Sequence, residues 1–142
     1  MIEHRWSIAC HHAVVDRYTN NVSLLHLIEQ ITMTGRPEPD GLIPITFDIM
    51  TLWERGELDE PETRMSRIVV LNPDGCECEL AERSINLTEH QRLRARLTVT
   101  GVPFQGFGRY CFRTDIKDGE TWLDVGRVCI DVAQGEAKPV QE

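Results

Sequence analysis

The stretch Tyr110-Cys111-Phe112-Arg113-Thr114-Asp115-Ile116-Lys117-Asp118-Gly119-Glu120-Thr121-Trp122-Leu123-Asp124-Val125-Gly126-Arg127-Val128-Cys129-Ile130-Asp131-Val132 decides the fold. Tyr110, Phe112 and Thr114 alternate with Cys111, Arg113 and Asp115, and Leu123 and Val125 share one parity while Val128, Ile130 and Val132 share the other. Successive side chains on a strand point to opposite faces, so a period of two means half-buried strands. The parity changes once, at Gly126-Arg127, where a bulge restores the facing. Asp118-Gly119 tolerates the positive φ of a tight turn and joins 109–116 to 121–132 as a hairpin.

The same signal extends outward. Trp6, Ile8 and Cys10 alternate with Ser7 and Ala9, and Ile45, Phe47, Ile49 and Trp53 share one parity. Asn72-Pro73-Asp74-Gly75 sets Pro second and Gly fourth, predicting a second hairpin between 67–71 and 76–87. Thr88–Arg92 is polar all round and reads as a loop leading into 94–100. The apolar positions of 22–31 fit helical spacing as well, with Asn20 or Asn21 as a possible cap. A long, kinked strand over 22–33 is the expectation, with the helix left open. The count is about eight strands, at 5–15, 22–33, 44–54, 64–71, 76–87, 93–100, 109–116 and 121–132, which predicts an all-β antiparallel sandwich. One domain over 1–132 with a polar tail at 133–142 is expected.

With 142 residues the chain has the length to bury about two-thirds of its unfolded surface in one core. Fifteen Lys and Arg against 23 Asp and Glu leave a net charge of −8. Such a surface repels phosphate backbones and anionic lipid, so neither nucleic acid nor a membrane is an expected partner. There is no basic run leading into an apolar stretch at Met1–Trp6, and no continuous apolar span of transmembrane length. The expected location is cytoplasmic. Five cysteines, an odd number, predict reduced thiols rather than a disulfide framework, with Cys111 and Cys129 acting as small buried hydrophobes.

The run Gly101-Val-Pro-Phe-Gln-Gly-Phe-Gly-Arg-Tyr-Cys-Phe112 resembles the Pro/Gly loop and Gly-x-Tyr strand entry of immunoglobulin-like sandwiches. That resemblance implies an immunoglobulin-like β-sandwich in which Tyr110 bonds back to the loop before it as a structural pin. Trp6-Ser7-Ile8, Val14-Val15-Asp16, Thr19-Asn20-Asn21-Val22-Ser23-Leu24, Leu52-Trp53 and Asn72-Pro73-Asp74-Gly75 are similar to a bacterial family of small cytosolic proteins known only as a domain of unknown function. The family implies a fold and no activity. Cys76, Cys78 and His11-His12 depart from its pattern.

No assembled catalytic motif is present: no Ser-His-Asp set, paired glycosidic carboxylates or phosphate cradle can be recognised. Cys10-His11-His12 and Cys76-x-Cys78 offer zinc-ligand types at spacings unlike those of structural zinc sites, so neither a metal nor another cofactor is expected. Two loops are the candidate binding sites. Asp16, Tyr18, Asn20 and Asn21 gather a carboxylate, an aromatic and two amides that suit a sugar, cation or peptide, although Asp and Asn also build turns. Phe104 and Phe107 either fold over the core or stand out as an anchor. The acidic run Glu54–Glu62 lacks calcium-loop spacing and reads as a solvated loop. The expected function is a non-enzymatic binding or interaction module that meets a protein partner or another copy of itself. A small-ligand or carbohydrate binder is the alternative, with a hydrolase behind it.

Overall fold

The computed structural model describes residues 1–38, 40–56 and 60–135. Nine strands and no helix occur among them: β1 Ile2–Val15, β2 Val22–Leu27, β3 Gln30–Met33, β4 Leu42–Arg55, β5 Glu62–Leu71, β6 Glu77–Leu87, β7 Arg92–Pro103, β8 Gly108–Asp118 and β9 Thr121–Gln134. They form a four-stranded sheet in the order β2-β1-β4-β7 and a five-stranded sheet in the order β3-β9-β8-β5-β6. With no helix among the described residues, none is long and apolar enough to cross a membrane.

The inward parity of both sheets meets in a shared core. Phe47 of β4 packs edge-on against Phe112 of β8, with ring centroids 5.5 Å apart, among Ile43, Ile49, Val99, Tyr110, Ile130 and Val132. Each such side chain contributes about 1.5–3 kcal/mol by leaving water. At one end Trp53 centres a second cluster with Ile2, Ile85, Leu87 and Ile116.

Both hairpins form, β5 with β6 and β8 with β9, but the second turns one residue later than expected: Asp118 still pairs with Thr121, so the turn is Gly119-Glu120 and only Gly119 of the expected pair takes a positive φ, 64°. The bulge falls at Val125, one residue ahead of the Gly126-Arg127 step, because Thr114 pairs with Gly126 while Asp115 pairs with Asp124. Gly126 answers a packing need as well: a Cβ there would lie 2.5 Å from the His4 ring.

Three expectations are corrected. The continuous strand over 22–33 is two strands in different sheets, and the helical alternative is absent. His26 takes a left-handed φ of 56°, the Ile28 amide bonds the Ala9 carbonyl at 2.9 Å, and the Asp131 amide bonds the Glu29 carbonyl at 3.0 Å. Buried Ile28 thus marks the crossing between the sheets, which a continuous apolar run does not reveal. Second, the pairing is not wholly antiparallel, since β3 lies parallel to β9. Third, Cys111 and Cys129 are not reduced thiols but a disulfide. The register sets these residues directly opposite each other on β8 and β9, with Cα atoms 4.0 Å apart. Parity alone assigns each cysteine to a face, whereas only the register shows that they meet. Cys10, Cys76 and Cys78 are free.

Tyr110 is the pin its position implies. Its buried hydroxyl donates to the Gly106 carbonyl at 2.7 Å and accepts from the Gln105 amide at 2.8 Å, holding the β7–β8 loop onto β8. Burial pushes the phenol up from its ordinary pKa.

Candidate functional site

After Cys10, opposite Asp48, β1 has no further partner in β4, and from His12 to Val15 it pairs with β2 alone. Residues 11–27 are therefore a two-stranded arm at the edge of the smaller sheet. The arm reaches back across that sheet. Arg94 of β7 stands opposite Leu52, which stands opposite Trp6, and its guanidinium donates to the Asn20 carbonyl at 2.6 Å and to Asn20 Oδ1 at 2.9 Å. Arg96 similarly donates to the Ala13 carbonyl at 2.9 Å.

The loop at the arm's tip is built by its own polar side chains. Asp16 Oδ1 accepts from the Tyr18 and Thr19 amides at 2.7 and 3.1 Å. The Asp16 amide donates to the Asn21 carbonyl and the Asn20 amide to the Asp16 carbonyl, and Asn20 takes a left-handed φ of 59°. The backbone bonds from Thr19 and then Tyr18 hold the exposed Asp16 carboxyl below its usual range. Asp16 and Asn20 thus serve the turn and its anchor on Arg94. Tyr18 is different: it is 93% exposed and its side chain projects from the tip.

Phe104 and Phe107 fold back over the core rather than standing out. Phe104 is buried, the two rings meet edge-on at 5.1 Å, and the Arg36 guanidinium caps both at 5.7 and 6.0 Å. The structure does not bring the two candidate loops together. One contacts Arg94 near the start of β7 and the other follows its end at Pro103, a separation of roughly 30 Å along an extended strand.

The remaining chemistry-bearing residues stay apart. Cys10 is fully buried, and burial first, then the Asp48 charge, pushes its thiol up, away from reactivity. Exposed His11 meets His26 across the arm, with ring centroids 6.1 Å apart. Cys76 and Cys78 are exposed, and the charge of Asp74 raises the Cys76 thiol. No group of three or more His, Cys, Asp or Glu side chains that could hold a metal occurs among the described residues. In the acidic run, residues 57–59 lie outside the described residues, as do Pro39 and positions 136–142 of the tail.

Two core cavities of about 10 Å³ each hold one water at most. A wide cleft of about 830 Å³ opens between Trp6, Leu52 and Arg94 and the loop residues Asn20 and Asn21, with His90 at its margin.

The apolar surface is concentrated elsewhere. Of the seven large exposed hydrophobic side chains among the described residues, five lie on the arm: Val14, Val15, Tyr18, Leu25 and Leu27. Tyr18 alone of these was a candidate from sequence. The others lie in apolar runs that read as core; for Leu25 and Leu27 the signal that sets them apart is the absence of charge from Val22–Leu27 in a chain of net charge −8.

A second cluster that residue patterns did not reveal is structural. The Asp115 side chain, 2% exposed, is held by Arg67 Nε at 2.8 Å and Arg113 Nε at 2.8 Å. Arg67 stacks on Trp122 at 4.4 Å, and Arg113 continues to Glu77. The bond to Asp115 is the chief cause raising the Arg113 guanidinium above its ordinary value. Both carboxylate oxygens are satisfied, so the cluster braces β5 against β8 and offers no open ligand position.

Among known proteins, no family model and no curated protein matches this chain.

Proposed function

We propose that this protein is a non-enzymatic interaction module, an immunoglobulin-like sandwich that engages a protein through the 11–27 arm. The observation that carries the reading is the gathering of five of the seven exposed large hydrophobic side chains on that arm. Soluble surfaces expose single apolar residues freely, but clustered ones mark contact sites. The Tyr110 pin supports the immunoglobulin-like assignment. Kinship with the bacterial cytosolic family belongs to the same proposal and rests on the sequence resemblance; residence in the cytoplasm rests on the sequence reading alone, and the Cys111–Cys129 disulfide weighs against it.

A photo-crosslinking residue placed at Tyr18 or Leu25 in the intact chain tests the reading in cells. The expected result is a crosslinked protein product from both positions and none from Glu79 on β6. Absence of any product from either arm position refutes it. The cleft beside Trp6 favours a second reading, a small polar ligand held by Arg94 and Asn21. A ligand that shields Arg94 from chemical modification while the arm remains uncrosslinked selects that reading instead.

A further inference from the structure

Four strands form the edges of the two sheets: β2 and β7 in one, β3 and β6 in the other. An edge exposes unpaired backbone groups and invites another chain, and native edges are guarded by charge or kept short. β6 carries Glu77, Glu79, Glu82 and Arg83, and β7 carries Arg92, Arg94 and Arg96. The β7 edge is also reached from β6, where Arg83 donates to the Arg96 carbonyl at 2.6 Å. β3 is four residues long. β2, Val-Ser-Leu-Leu-His-Leu, has six residues and no charged side chain, and both Leu25 and Leu27 are exposed.

Resting on the interaction-module reading, we infer that the partner is a second copy of this chain, joined β2 to β2 so that two four-stranded sheets become one of eight. Charge selects this edge. Each chain carries −8, so two copies repel over most of their surfaces. The arm is the exception, because its single acid, Asp16, is balanced by Arg17. Antiparallel pairing about a two-fold axis normal to the sheet sets residues of one face opposite each other. Centred within 23–25, it pairs leucines and serines without opposing like charges. The left-handed φ of His26 interrupts regular pairing beyond that point.

A six-residue edge flanked by Val14 and Tyr18 is smaller than a standard interface. The expected dissociation constant is on the order of 1–100 µM. Because the copies repel elsewhere, raising salt from about 0.05 to 0.5 M strengthens the dimer, the opposite of an interface held by ion pairs.

Sedimentation velocity of the purified full chain over a concentration series is the test. A reversible dimer that tightens with salt is expected, and Leu25→Glu, which sets like charges close together at the seam, weakens it at least about tenfold. A milder change guards against misfolding. In a Cys76→Ser/Cys78→Ser background, Leu24→Cys, at the centre of that register, gives an oxidised covalent dimer that Leu25→Glu suppresses. A monomer at every concentration, or a dimer indifferent to both substitutions or weakened by salt, overturns the inference. If the purified chain is monomeric while Tyr18 crosslinks to a different protein in cells, self-pairing falls and the interaction-module reading stands. If no crosslink forms in either setting, both fall.

Discussion

Cutting the Cys111–Cys129 disulfide is the perturbation whose size follows most directly from the fold. The bond closes a loop with a sequence separation of 18 residues, and the chain-entropy relation for a loop of that length gives about 3 kcal/mol of stabilisation. For a domain of this size each kcal/mol shifts the melting temperature by about 3–4 °C, so reduction or a Cys111→Ala/Cys129→Ala pair lowers it by about 10 °C. Melting is followed by circular dichroism with and without dithiothreitol, alongside a thiol count. Unreduced, denatured protein titrates three thiols, Cys10, Cys76 and Cys78. In the native state Cys76 and Cys78 react at once, whereas buried Cys10 waits for unfolding. The fast pair must be protected from air, since their oxidation would mimic a lower count. Five titrating thiols in the unreduced protein, or a melting temperature unmoved by reductant, refute the reasoning.

Three further outcomes test the interior. Tyr110→Phe deletes the hydroxyl between the Gln105 amide and the Gly106 carbonyl and costs about 1–3 kcal/mol in urea denaturation. An unchanged midpoint would show that the pin does not hold the loop. Asp115→Asn removes the charge that faces Arg67 and Arg113, whose side chains are only 24% and 15% exposed, and costs about 2–4 kcal/mol. A loss below about 1 kcal/mol contradicts the brace. His4 packs against Trp53 at 5.2 Å and meets Ser7 Oγ at 2.7 Å, and desolvation by burial lowers its pKa from 6.5. The unfolded chain therefore binds the proton more readily. The resulting stability is present above pH 6.5 and is lost as pH falls toward the lowered folded value. His4→Gln flattens the melting temperature between about pH 7 and 5, and a slope identical to wild type would exclude His4 as its source.

The parts of the fold written in local chemistry were legible. Alternation in 110–132 located β8 and β9, and the turn residues at 72–75 and 118–119 located both hairpins. What local pattern does not carry is which strands meet. Val22 to Met33 is apolar enough for one strand, yet the chain changes sheets at Ile28, because the decisive bonds run to Ala9 and Asp131 far away in sequence. The disulfide failed for the same reason. A count of five cysteines bears on compartment, whereas the bond depends on Cys111 and Cys129 being placed opposite each other by the Gly119-Glu120 turn and the Val125 bulge.

The candidate site shows the complementary limit. Asp16, Asn20 and Asn21 drew attention because polar side chains are the usual vocabulary of binding, but the loop uses Asp16 and Asn20 to build itself and to dock on Arg94. Leu25 and Leu27 escaped attention because an apolar residue in a strand is presumed to face a core. Whether it does depends on the strand's neighbours, and β2 has one on a single side only. The clue was an absence of charge rather than a motif. In a chain where more than a quarter of residues are charged, a six-residue edge with none lacks the usual defence against pairing. Leaving that edge bare is an aggregation hazard for a strict monomer. It is consistent with an edge that is normally covered, and the Leu25→Glu variant separates the two: it improves the solubility of a monomer, but dissociates a dimer.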